Sequence, residues 1–126
     1  MVRLRSIAKT IFLTLVVVMA VSFLNNASAQ DGKALFSANC ASCHAINKRL
    51  TGPALMGVEE RWPDKKELFA FIRNPSLVIK RNAYAKKLKD VYGTLMTAFP
   101  DLTDEAIAAI LDYIRREGKA KPITIE

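Results

Sequence analysis

Cysteine and histidine are scarce in this chain: two cysteines and one histidine in 126 residues. That scarcity removes several functions at once. A structural zinc site takes four nitrogen or sulfur ligands, and no second Cys/His pair completes such a shell. No third cysteine follows the N-terminal apolar run, so a lipid-modified N-terminal cysteine would cost one of the only two thiols. Nothing alternates strand with helix, as the βαβ setting of a thioredoxin-like redox pair requires. There is no internal repeat and no low-complexity segment. No basic stretch is interleaved with aromatics, and with it goes the usual footprint of a nucleic-acid partner.

All three scarce side chains fall within five residues, Cys40-Ala41-Ser42-Cys43-His44. A structural disulfide across so short a loop would remove little unfolded-chain entropy. A C-x-x-C-H run instead reads as an attachment site for a c-type haem. Residues three apart on a helical turn share one face, so Cys40 and Cys43 can each reach a vinyl group on one porphyrin edge. His44 follows directly, and its ring can swing beneath the iron as the proximal ligand. One covalently bound haem c is therefore the expected cofactor.

The N-terminus carries its own signal. Arg3, Arg5 and Lys9 form a basic segment, Ile11 to Leu24 is apolar apart from Thr14 and Ser22, and Ala27-Ser28-Ala29 is a small-residue cleavage site. This pattern predicts a secretory signal peptide over residues 1–29, cut before Gln30, and a single domain over 30–126. The alternative is an uncleaved helix that holds the domain at the periplasmic face of the inner membrane. Ile11 to Leu24 falls short of the roughly 20 residues a spanning helix needs. Export agrees with the motif, because the thiols then reach an oxidising compartment. Of the 19 basic residues three lie in the signal, against none of the 12 acidic ones, which leaves the domain at +4 before haem propionates.

The domain reads as all-α, with about four to five short helices wrapped around the haem. Asp31 to about Asn39 is a first helix with Ala34, Leu35 and Ala38 on one side and Phe36 toward another neighbour. Thr51-Gly52-Pro53 is a turn, and Gly57 and Pro63 keep the segment after it irregular. Asp64 caps a helix from Lys65 to Arg73 with Leu68, Phe69 and Ile72 as its apolar side. Asn74-Pro75 breaks it, and Pro75 opens a helix running to about Val91, with Leu77, Val78, Ala85 and Leu88 inward and Gly93 as its end. Thr103 caps the last helix, Asp104 and Glu105 suit its positive end, and Ile107, Ile110, Leu111 and Ile114 recur at helical spacing. Gly118 is its expected stop, followed by a loose Lys/Pro tail.

A single histidine excludes bis-histidine ligation within a monomer. The thioether candidates of the domain are Met56 and Met96. Met56 stands in the loop leaving the attachment site, where the chain stays more easily on the proximal side, and reads as a core residue. Met96 stands in a loop between two helices that can cross to the other haem face, and is the expected second axial ligand. Sulfur paired with imidazole raises the haem potential and closes the iron to small molecules.

With these pieces in place the chain resembles the class I, single-haem cytochromes c of bacterial electron transfer. The resemblance rests on Gly32 to His44 with the attachment motif, Thr51-Gly52-Pro53-Ala54-Leu55 after it, Met96 in its loop, and Leu111-Asp112-Tyr113-Ile114 in the final helix. It implies that Pro53 accepts a hydrogen bond from Nδ1 of His44. It also implies that the first and last helices cross, with Gly32 and Phe36 near Tyr113. The family often has proline directly after the ligand methionine. Here Thr97-Ala98-Phe99-Pro100 follows Met96, which implies a less rigid loop. Arg61, Trp62 and Tyr92 are candidates for the haem propionates.

The function implied is a periplasmic one-electron carrier rather than an enzyme. Its redox partners would be a dehydrogenase or quinol-oxidising complex on one side and a terminal oxidase on the other. Lys48, Arg49, Lys80, Arg81, Lys86, Lys87 and Lys89 are candidates to steer acidic partners toward the haem edge. A fixed subunit of a larger membrane complex would use the same chemistry. An open-iron gas-binding or peroxidatic protein is the reading from another class, and the sequence offers no acid–base pair for peroxide cleavage. The motif stands near the start of the domain, which excludes a four-helix bundle carrying it near the C-terminus.

Overall fold

The computed structural model describes residues 31–120. The expected signal segment and the tail beyond Ala120 lie outside them. The described residues form six α-helices and no strand, one helix more than the sequence suggests. None of these helices is long and apolar enough to cross a membrane.

Helix α1, Gly32–Asn39, begins where the Asp31 carboxylate accepts from the N–H groups of Lys33 and Ala34 at 3.0 and 3.1 Å. Those are donors a helix start leaves without partners. Its buried residues are Gly32 and Phe36, with Leu35 half-buried beside them, while Ala34 and Ala38 are exposed. The apolar side expected at Ala34 and Ala38 is thus displaced toward Gly32 and Phe36. The cause is the partner helix, α6, Asp104–Ala120. A Cβ on Gly32 would lie 2.1 Å from the Ala109 carbonyl oxygen, so only glycine allows the two backbones to meet. Phe36 and Tyr113 seal the crossing with ring centroids 5.5 Å apart.

Helix α6 starts as expected, with Thr103 Oγ1 accepting from Ala106 N–H at 3.2 Å, and buries Ile107, Ile110, Leu111 and Ile114. It does not stop at Gly118. Only Gly57 and Gly93 have positive φ among the described residues. Gly118 is instead a close-packing site, where a Cβ would lie 2.9 Å from Met56 Cγ.

Four helices join these two: α2, Val58–Arg61; α3, Lys65–Arg73; α4, Pro75–Ile79; and α5, Ala83–Tyr92. The segment expected to be irregular contains α2, which follows Gly57 at φ 66° and has Glu59 and Glu60 in its first turn. Helix α3 matches its expected bounds, capped by Asp64 onto Lys66 N–H at 2.8 Å. It buries Phe71 with Leu68 and Phe69, and Ile72 is half-buried.

The single helix expected from Pro75 to Val91 is two. Asn82 takes extended backbone and its Oδ1 accepts from Ala85 N–H at 3.0 Å, starting α5 afresh. Asparagine competes for backbone donors in this way and favours helix starts over helix interiors. Leu77 is left exposed, whereas Val78 and Ala85 are buried. Gly93, at φ 68°, ends α5 as expected. Trp62 joins the pieces: its ring centroid is 5.1 Å from that of Phe71 and 5.2 Å from that of Tyr84.

Candidate functional site

A cavity of about 450 Å³ lies between α1, α3, α6 and the loops after the attachment motif and after α5. It is within the roughly 300–1,000 Å³ of cofactor sites. Cys40, Cys43, His44 and Met96 all line it, and Leu68, Phe71, Ile107, Ile110, Leu111 and Ile114 supply apolar wall. No polar or charged residue is fully buried among the described residues.

The motif is held by a turn. Cys43 and His44 N–H groups both donate to the Cys40 carbonyl, at 3.2 and 2.9 Å. Both thiols are free; Cys43 is exposed and Cys40 half-buried. Burial pushes the Cys40 thiol up to about 11, so at neutral pH it is an uncharged wall of the cavity and not a thiolate.

The chain then returns beneath the histidine. Gly52 N–H donates to the Cys43 carbonyl at 2.8 Å. His44 Nδ1 lies 2.9 Å from the Pro53 carbonyl oxygen. A carbonyl only accepts, so Nδ1 is the donor, and in the neutral ring that leaves the Nε2 lone pair for a metal. Gly52 is part of this seat, a role the sequence reading left out. A Cβ there would fall 2.3 Å from His44 Cε1, so the ring occupies the place of a side chain.

Met96 sits in the loop between α5 and α6, half-buried. The far end of this loop is anchored to α3: Phe99 N–H donates to the Ile72 carbonyl at 3.1 Å, and Arg73 Nε to the Leu102 carbonyl at 2.8 Å. Arg73 also pairs with Asp104. Met56 is not among the cavity-lining residues, and its side chain lies against Gly118.

The three propionate candidates separate. Trp62 and Tyr92 line the cavity. Arg61 does not, because its guanidinium donates to the carbonyls of Met56 and Ala54 at 2.6 and 2.7 Å. The basic candidates separate as well. Arg81 pairs with Glu67 and Lys86 with Asp90, at 2.9 and 2.7 Å. Lys48, Lys80, Lys87 and Lys89 are exposed and have no ion pair among the described residues. Lys89 also borders the cavity.

This donor set fits a haem c. Two thiols precede an imidazole whose Nδ1 is already committed to Pro53, and a thioether shares the same apolar cavity. The Cytochrome c family model matches residues 29–117. A solved cytochrome c from Rhodothermus marinus is 35% identical at TM-score 0.64, covering 74% of this chain and 78% of its own. An engineered cytochrome c from the same organism is 35% identical at TM-score 0.60, covering 72% and 77%. Another engineered form, bound to a carbene intermediate, is 36% identical at TM-score 0.58, with the same 72% and 77% covered. No curated protein sequence matches the chain.

Proposed function

The chain belongs to the cytochrome c family, and from that premise we propose that it is an exported one-electron carrier of a respiratory or dehydrogenase chain, with Cys40 and Cys43 holding one haem c and His44 and Met96 ligating its iron. The haem supplies a one-electron ferric/ferrous couple when bound. His44 presents Nε2 in one fixed tautomer, because Nδ1–H donates to the Pro53 carbonyl. Met96 would add a soft neutral sulfur that favours the reduced state. The observation that carries the reading is the convergence of both thiols, the oriented imidazole and Met96 on one apolar cavity.

We place the protein in the periplasm. The signal pattern over residues 1–29 supports export, and the family match opens at residue 29, beside the expected cut. Exposed Lys48, Lys80, Lys87 and Lys89 suit acidic redox partners: a dehydrogenase or quinol-oxidising complex as donor, and a terminal oxidase as acceptor.

Intact mass of the exported protein tests attachment and processing together. The expected species is Gln30 to Glu126 plus one haem. A mass that retains residues 1–29 overturns the cut, and a mass without haem overturns the carrier.

A further inference from the structure

The loop that carries Met96 is tied down unevenly. Its far end has the backbone bond to Ile72 and the Arg73 contacts described above. Residues 94–98 make no hydrogen bond among the described residues, and all but Met96 are exposed. The near end leaves Gly93, which caps α5 in a left-handed conformation with open space around it. What holds that near end must therefore act on the last turn of α5. Tyr84, Ala85 and Leu88 bind α5 to the core as far as its last turn, where Lys89, Asp90 and Val91 are exposed and Tyr92 is half-buried.

Among the described residues, one cation–ring contact reaches this turn from outside α5. The Arg49 guanidinium lies over the Tyr92 ring, 4.4 Å from its centroid. Arg49 belongs to the loop between His44 and Pro53, the same loop that seats the imidazole. Tyr92 immediately precedes Gly93, lines the cavity, and stands four residues before Met96. The contact thus joins the loop of the histidine to the root of the loop of the methionine.

We propose that Arg49 and Tyr92 form a latch that holds the Met96 loop over the iron, so that Arg49 is a positioning residue for the second axial ligand and sets how readily small molecules displace Met96. This rests on the reading of Met96 as a ligand. A cation over an aromatic ring at an exposed site shifts an equilibrium about two- to fivefold. Loss of the latch should raise the population of the Met96-detached state by that factor.

The test is imidazole binding to the ferric holoprotein, followed in the Soret band, for wild type, Arg49→Gln, Tyr92→Leu, the double variant and Met96→Ala. Arg49→Gln is expected to tighten the apparent imidazole Kd about two- to fivefold. Tyr92→Leu should do the same, and the double variant no more than either single one. In a Met96→Ala background Arg49→Gln should change nothing, because no methionine is left to hold. An Arg49→Gln protein that binds imidazole as wild type does overturns the latch, as does an effect of equal size in the Met96→Ala background. Equal affinities of wild type and Met96→Ala would instead remove Met96 as a ligand, and the latch with it.

Discussion

Gly52 is small because His44 stands where its side chain would be. A methyl group there would lie 2.3 Å from Cε1, and either the imidazole or the loop would have to move. Gly52→Ala is expected to cost about 1–3 kcal/mol, read as a lower thermal midpoint of the holoprotein, with an altered Soret band that reports the displaced ring. An unchanged midpoint and spectrum would show that the seat yields freely. The attachment motif was legible in the sequence because nothing else in the chain competes with it, and so was the placing of Met96 rather than Met56 at the cavity, because of the loop each stands in. Gly52 was not legible, since its contact arises from the return of a loop and not from local spacing. The place of Arg61 was hidden for a related reason: loop curvature brings two carbonyls to its guanidinium.

Among the elements, the α1–α6 crossing depends on Gly32. Its Cβ would meet the backbone oxygen of Ala109 at 2.1 Å, and backbone gives less than a side-chain tip. Gly32→Ala should destabilise by about 3 kcal/mol, at the upper end of overpacking costs, seen as a lower denaturant midpoint of the holoprotein. The boundary between α4 and α5 depends on Asn82, and Asn82→Ala should cost about 1 kcal/mol through the lost cap; no change in midpoint would mean that packing alone sets the break. Helix α3 was legible to the residue because Asp64 and Asn74-Pro75 are local signals. The break at Asn82 was hidden, since no proline or glycine marks it. Gly118 deceived in the opposite direction: a glycine near a helix end suggests a cap, but here it admits Met56.

The whole domain is built around its cavity. Leu68, Phe71, Ile107, Ile110, Leu111 and Ile114 all face this space of about 450 Å³, so the haem supplies the apolar body against which they pack. A Cys40→Ser, Cys43→Ser protein is therefore expected to be poorly folded, with no cooperative melt by circular dichroism; a native-like cooperative melt would contradict this. Charge acts on the same scale. Arg81 and Lys86 are paired within the chain, so exchange with an acidic redox partner should slow with salt through Lys48, Lys80, Lys87 and Lys89. Rates indifferent to ionic strength would remove the steering role.

Closure of the iron by Met96 separates a carrier from a catalyst or sensor. The most direct measurement is carbon monoxide addition to the dithionite-reduced holoprotein, beside Met96→Ala, read in the Soret band. The account predicts no change in the wild type and a clear shift in the variant. A shift in the wild type would contradict it, and the iron would have to be read as open to small molecules.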